Sequence, residues 1–462
     1  MKFSILSNEG SNPIIYREKF RIIRIASRTR ILLIFVGFLY LLILHFSYRY
    51  KICPEFVYMG YVYSNPPVYI IMIAWLTGLT PLLWMPVNIT RPSQIIYWFL
   101  YLLVVIPVSI VPVYISRVGI DSLIKISWPI LISFAFMGLF YKFPLLSVKR
   151  IHIPQILFWW ISIVSIGFLY LFILRNFRSH LVMVNPLLSS EVYKTRLSGR
   201  EILAQSSVIS GYLIPTLSEV INPFFIALGL YSKKIIWVMI GFVGQILMYM
   251  TDAQKMIIFS PFLLIGLFFI LRKSGKKAGM RIFIVFILLV ILAILMDNIL
   301  STNIFTSIIV RREILTHGLL TKYYFDFFSV NPKANLGYNR ILHNYVNYPY
   351  PYPPPFIIGN YYFGSPYMSA NENFWAQGFA DFGYFGVFFL SFMLAIILWL
   401  YDSISKPLPL QFSTILLTLP GSSLASSSFF TSILTHNIIV LLVFIYILPK
   451  SLMDDRKCKT KR

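Results

Sequence analysis

Acidic residues are scarce in this chain, with 16 Asp and Glu set against 40 Lys and Arg over 462 residues. Charged residues of both signs amount to only 12%, too few to cover a water-soluble protein of this length. Cysteine is nearly absent. Cys53 and Cys458 fall in segments expected on opposite sides of a membrane, which excludes a disulfide and a cysteine metal site. The 6 histidines show no HxH, HxxxH or HExxH spacing, which argues against a metal site built by the protein, and no cofactor is expected.

Apolar residues take the place of the missing charge. They make up 58% of the chain and the mean hydropathy is +0.75, so the sequence describes an integral membrane protein. A formal charge of +24 raises nucleic acid as a partner. In a multi-pass protein, however, basic residues collect in cytoplasmic loops for reasons of insertion, and no nucleic-acid partner is expected.

The chain reads as one all-α membrane domain over 1–462, with about twelve spans of the length a helix needs to cross a bilayer. They fall at 31–47, 67–87, 95–115, 128–142, 156–174, 208–230, 234–251, 255–271, 281–300, 374–401, 410–430 and 435–449. The basic run before the first span has no small-residue cleavage site after it, so that span is expected to be retained with its N-terminus inside. Alternation from there places Arg91, Lys149, Arg150, Lys233, Lys234, Arg272, Lys276 and Lys406 inside, and the C-terminal tail with them. The 128–142 segment is short. The 208–230 segment contains Pro215, Glu219 and Pro223, so both are expected to be broken or tilted.

Two enlarged outer loops break the charge rule. The loop at 175–207 carries Arg175, Arg178, Lys194, Arg196 and Arg200. The loop at 301–373 carries Arg311, Arg312, Lys322, Lys333 and Arg340 and is far longer than a passive connection requires. Arginine presents a planar fork of donors that matches phosphate oxygens and stays charged at any relevant pH, so an anionic partner at the outer face is expected. Within the longer loop, TKYYFDFF reads as an amphipathic segment lying on the bilayer surface, and YPYPYPPPF reads as a stiff proline-rich arm or spacer.

Polar residues at membrane depth add a third element, because ionisable groups there face a cavity or a partner. Glu219 lies mid-span with no counter-ion nearby in sequence. Asp252 and Lys255 occupy the turn TDAQK, and Asp297 ends a span. In SANENFWAQGFADFGYFG, Asn373, Gln377 and Asp381 share a helix face by fourfold spacing, and Gly378, Gly383 and Gly386 would permit close helix packing.

The series RRE, YYFDFFSVNP, IIGNYYFG and ANENFWAQGFADFGYFG, set between a dozen spans and two basic outer loops, resembles the Wzy-type O-antigen and oligosaccharide repeat-unit polymerases. Members often carry ANTGF where this chain has ANENF. The resemblance implies a GT-C-like membrane glycosyltransferase of the bacterial inner membrane, with undecaprenyl-pyrophosphate-linked oligosaccharide as both donor and acceptor at the periplasmic face. Membrane lipids and a chain-length regulator protein would be its other partners. Such a reaction needs fixed positive charge where the diphosphate leaves and a base for the acceptor hydroxyl. Arg311, Arg312, Arg196 and Arg200, followed by Arg340 and Lys255, are the expected diphosphate ligands. Glu372, His343 and Asp381 are the expected bases. An O-antigen ligase shares this logic. A flippase for lipid-linked sugars would show internal repeats and charges along its spans, and the sequence has no repeat.

Overall fold

The computed structural model describes residues 13–449 except 117, 152, 179–180, 187–188, 206–209, 273–274 and 340–343; side chains are described from 28 onward, apart from 189–190, 200, 203–205 and 210. The described residues form helices and no strands. In chain order these are α1 (Arg28–Glu55), α2 (Val68–Leu83), α3 (Gln94–Ile115), α4 (Gly119–Lys142), α5 (Gln155–Phe177), α6 (Ser189–Gln205), α7 (Gly211–Ser232), α8 (Ile235–Asp252), α9 (Lys255–Leu271), α10 (Ala278–Leu300), α11 (Thr316–Val330), α12 (Pro354–Phe363), α13 (Phe374–Ser405), α14 (Leu410–Ser422) and α15 (Phe429–Ile447). A π-helical stretch, Thr306–Leu315, leads into α11.

Among the described residues, 9 helices are long and apolar enough to cross a membrane: α1, α3, α4, α5, α7, α8, α10, α13 and α15. The chain is therefore a multi-pass membrane protein. The other expected spans, 67–87, 255–271 and 410–430, coincide with the shorter helices α2, α9 and α14. The 128–142 segment is the second half of α4, whose first half contains Asp121 and Lys125 and so escapes a reading based on hydropathy. The break expected in 208–230 is a π-helical turn, Thr216–Ile221, set between Pro215 and Pro223.

Burial orders the bundle. The apolar window of α3 is 94% buried and that of α5 only 11%, so α3 forms the centre and α5 the periphery, where Ile156, Val164 and Leu171 face outward. Apolar side chains on such a rim are at home in hydrocarbon.

The 301–373 stretch departs from its expected form in two ways. First, it is largely helical. Second, the aromatic face of α11, expected to meet the bilayer surface, packs on protein. Phe325 stacks on Phe379 with ring centroids 3.9 Å apart, and Leu319, Tyr324 and Phe328 are buried. Close approach to α3 depends on Gly318, where a Cβ would meet the Pro107 carbonyl oxygen at 2.5 Å. The proline-rich run yields in part to helix, since Pro354 starts α12, a position that tolerates the missing N–H.

In α13 the glycines serve an internal break rather than the packing of neighbouring helices. Gly383 has φ 64 and ψ −147, a conformation that side chains beyond glycine avoid. A Cβ on Gly386 would meet the Gly378 carbonyl oxygen at 2.0 Å across that break.

Candidate functional site

The site is organised by the π-helical stretch Thr306–Leu315. Asp297, at the end of α10, accepts hydrogen bonds from Thr302 Oγ1 (2.9 Å), Phe305 N (3.0 Å) and Thr306 N (2.6 Å). One carboxylate thus satisfies amides that a helix start leaves unpaired, and it fixes where the stretch begins. Lengthened turns of this kind recur at functional sites. Here the stretch presents Arg311 and Arg312 in different surroundings.

Arg311 turns toward the connection between α1 and α2. Its Nε and Nη2 donate to Ser307 Oγ at 3.1 and 2.8 Å, and its Nη1 donates to Met59 Sδ at 3.1 Å. The guanidinium carbon lies 4.5 Å from the Phe56 ring centroid. No carboxylate among the described residues pairs with it. Burial pulls this guanidinium below its ordinary value, opposed by Tyr61 and Tyr58, yet an arginine stays charged. It is a half-buried cation held by neutral partners, and an incoming anion could satisfy it.

Arg312 faces outward, half exposed, with Nε 3.9 Å from Glu313 Oε1. Lys255 lies within electrostatic range of Arg312, Glu313 and Arg196. Residues from three separate segments therefore meet: the 175–207 loop, the turn before α9 and the π-helical stretch. The turn is shaped by Ala253 at φ 48 and by Gln254 donating to Asp252. A Cβ on Gly199 of α6 would sit 2.8 Å from the Thr251 carbonyl oxygen, so α6 is seated directly on that turn.

Linked to Arg311 through Tyr61 is a buried acid–base pair that sequence reasoning only half identified. Glu372 has no exposed surface, and its Oε1 lies 3.1 Å from His317 Nδ1. Asn373 Nδ2 donates to the same oxygen at 2.5 Å and to Thr321 Oγ1 at 2.8 Å. Asn373 also caps α13, its Oδ1 accepting from Trp375 N and Ala376 N, so ANENF fixes the carboxylate at a helix start. Glu372 Oε2 has no partner among the described residues.

Burial pushes the Glu372 carboxyl up, opposed by His317. For His317, burial acts downward, but the Glu372 carboxylate outweighs it and the net shift is upward. His317 Nδ1 is thus committed to Glu372. Tyr61 joins the two parts of the site: its hydroxyl is 2.8 Å from Thr316 Oγ1, and it lies within electrostatic range of both Arg311 and Glu372. Burial pushes the Tyr61 hydroxyl up to about 12, so it remains a neutral donor.

The remaining expected residues separate. Asp381 is buried on α13, but it holds the 334–338 loop: Oδ1 accepts from Leu336 N at 3.2 Å and Oδ2 from the Tyr338 hydroxyl at 3.3 Å. It stands nine residues beyond Glu372 and spends its carboxylate on another segment, so it is not a member of the pair. Gln377 donates to the Tyr324 hydroxyl at 2.7 Å, so the shared face of Asn373, Gln377 and Asp381 is spent on bonds within the protein. Lys322 pairs with Asp326, and Lys333 lies 4.1 Å from the Phe379 ring centroid. Arg340 and His343, and the side chain of Arg200, lie outside the described residues. His317 and Tyr61 carry no local motif; only the fold reveals them. Among the described residues no three His, Cys, Asp or Glu side chains gather at a metal site.

No protein-family model matches the chain, and neither a curated protein nor a solved structure matches it significantly.

Proposed function

We propose that this chain is a membrane glycosyltransferase of the Wzy type, which joins oligosaccharide repeat units carried on undecaprenyl pyrophosphate and releases the lipid diphosphate at the outer face. The observation that carries this reading is one π-helical stretch holding a half-buried arginine, with no carboxylate partner among the described residues, close to a buried histidine–carboxylate pair. Arg311 would grip the donor diphosphate from one side, and Arg312, Lys255 and Arg196 would attract it from the other, supplying positive charge where the leaving group gains negative charge. His317 is the proposed base. Glu372 holds Nδ1, orients the ring and favours the imidazolium that forms, while Nε2, which makes no hydrogen bond among the described residues, would take the acceptor proton.

In the proposed step the acceptor oxygen attacks the anomeric carbon, the bond from that carbon to the diphosphate oxygen breaks, and the hydroxyl proton passes to His317. Glu372 has no exposed surface, so it positions His317 rather than touching the sugar. A GT-C-like architecture of about twelve spans, with inside termini in a bacterial inner membrane, belongs to the same proposal.

The test uses surface glycan from a deletion strain carrying plasmid-borne variants. Loss of long chains with single repeats still displayed is the expected result for the deletion and for His317→Ala. Repeat units stranded at the inner face would instead indicate a flippase, and unchanged chain length in the deletion strain would remove the proposal.

A further inference from the structure

A second ionisable pair lies away from the outer-face cluster and is independent of the function proposed above. Glu219 belongs to the π-helical turn Thr216–Ile221 of α7, and His436 lies where α15 is interrupted, just before Asn437 at φ 62. The two breaks face each other. His436 Nδ1 is 2.8 Å from Glu219 Oε1, and Thr216 Oγ1 donates to Asn437 Oδ1 at 2.9 Å. His436 Nε2 lies 3.3 Å from Ser427 Oγ. Glu219 Oε2 is buried with no partner among the described residues.

Ionisable groups at such depth are costly and mark functional positions, and interrupted helices meeting at a polar site are the usual construction of intramembrane ion sites. The helices packed on this turn bring no competing charge. Of the helices packed on α7 and α15, α14 carries no titratable residue, α5 carries Tyr170 and Arg175, α8 carries Tyr249 and Asp252, α9 carries Lys255, and α13 carries Asp381, Tyr384, Tyr401 and Asp402. Along the two spans themselves lie Tyr212, Tyr231 and Tyr446. Among the described residues none acts on the pair, and the only charged neighbour of each member is the other.

We propose that Glu219 and His436 form an intramembrane proton-binding site that controls how tightly the interrupted spans α7 and α15 close on each other. With one proton shared between them the pair carries no net charge, and the breaks close. An added proton goes to Glu219 and makes the pair cationic, but both imidazolium N–H groups stay hydrogen-bonded, Nδ1 to Glu219 and Nε2 to Ser427, so it is accommodated. A lost proton is not. It leaves a carboxylate beside a neutral imidazole, with Oε2 facing no donor, and an unpaired charge in an apolar interior calls in water. The proton leaves to that water, and the breaks part as pH rises.

The test uses the full chain in liposomes, with Cys53 and Cys458 replaced by serine and one reporter cysteine at Ser432→Cys, a buried position one turn before His436. Alkylation by a small water-soluble maleimide is followed from pH 5 to 9 and corrected with free cysteine for thiolate content. The expected result is a rise of about tenfold in a single step, with Glu219→Gln and His436→Gln flat across the range and Glu219→Asp retaining the step. Hydrogen exchange of peptides from 429–447 in the unmodified chain gives the same readout if the reporter variant fails to fold. Flat accessibility and flat exchange in the otherwise native chain, with the variants merely lowering the melting temperature, would overturn the proposal.

Discussion

His317 Nδ1 and Glu372 Oε1 lie 3.1 Å apart although 55 residues separate them in the chain. The contact ties α11 to the start of α13, and it makes the histidine's charge state depend on the carboxylate. The sign of that dependence is definite. Glu372 holds the His317 pKa above the ordinary 6.5, so a reaction using neutral His317 rises as pH climbs through that elevated value. In Glu372→Gln the support is lost while burial remains, so the rising limb should move to lower pH with a reduced plateau. Glycan-extension rate against pH, measured with lipid-linked repeat units, checks this. A limb that stays in place would separate Glu372 from His317. His317→Ala should cost roughly 10²–10⁴ in rate, the usual scale for a positioned base.

Arg311 and Arg312 should differ in consequence despite being neighbours. Arg311 is half-buried among neutral partners, whereas Arg312 is 53% exposed beside Glu313. Arg311→Ala should lower extension by about 10²–10³, as expected for loss of a fixed donor at developing charge. Arg311→Lys should recover only part, because a point charge cannot replace a fork. Arg312→Ala should weaken donor binding in a salt-dependent way with little change in the rate at saturation. Extension assayed at two ionic strengths separates the two roles.

Asp297 should behave as a structural anchor with a functional readout. It receives two amides and a hydroxyl at the start of the π-helical stretch, so Asp297→Ala should destabilise the protein by about 1–2 kcal/mol, the upper part of the range for losing a helix cap. Because the stretch carries both arginines, extension should fall further than thermal stability alone explains. Asn at this position should restore part of each. Melting temperature and extension rate measured on the same preparations check it.

Asp381 offers a contrast with the His317 pair. Its carboxylate holds Leu336 N and the Tyr338 hydroxyl, so Asp381→Ala should destabilise by about 1–3 kcal/mol, the scale for leaving buried donors unmet. Below its lowered melting temperature this variant should make chains of normal length with an unshifted pH profile. A profile that moved in Asp381→Ala would return this acid to the catalytic group.

Hydropathy alone fixed the class of this protein, because a backbone inside hydrocarbon must satisfy its own hydrogen bonds and long apolar runs leave only helices. Glu219 could likewise be recognised as an intramembrane carboxylate with no nearby counter-ion, Arg311, Arg312 and Arg196 as cations of two loops expected at the outer face, and Lys255 as a cation of the TDAQK turn. What no local pattern carries is company. His436 meets Glu219 across 217 residues, and Lys255 meets Arg312 and Arg196 only because α6 and the π-helical stretch both come to the turn before α9. The aromatic run of α11 looked like a bilayer-surface segment because amphipathicity gives a helix two unlike faces without saying what the apolar face touches. Gly318 and the Phe325–Phe379 stack turned that face onto protein. Periodicity is a property of a segment and survives in sequence, whereas the partner of a side chain is decided by packing among segments far apart in the chain.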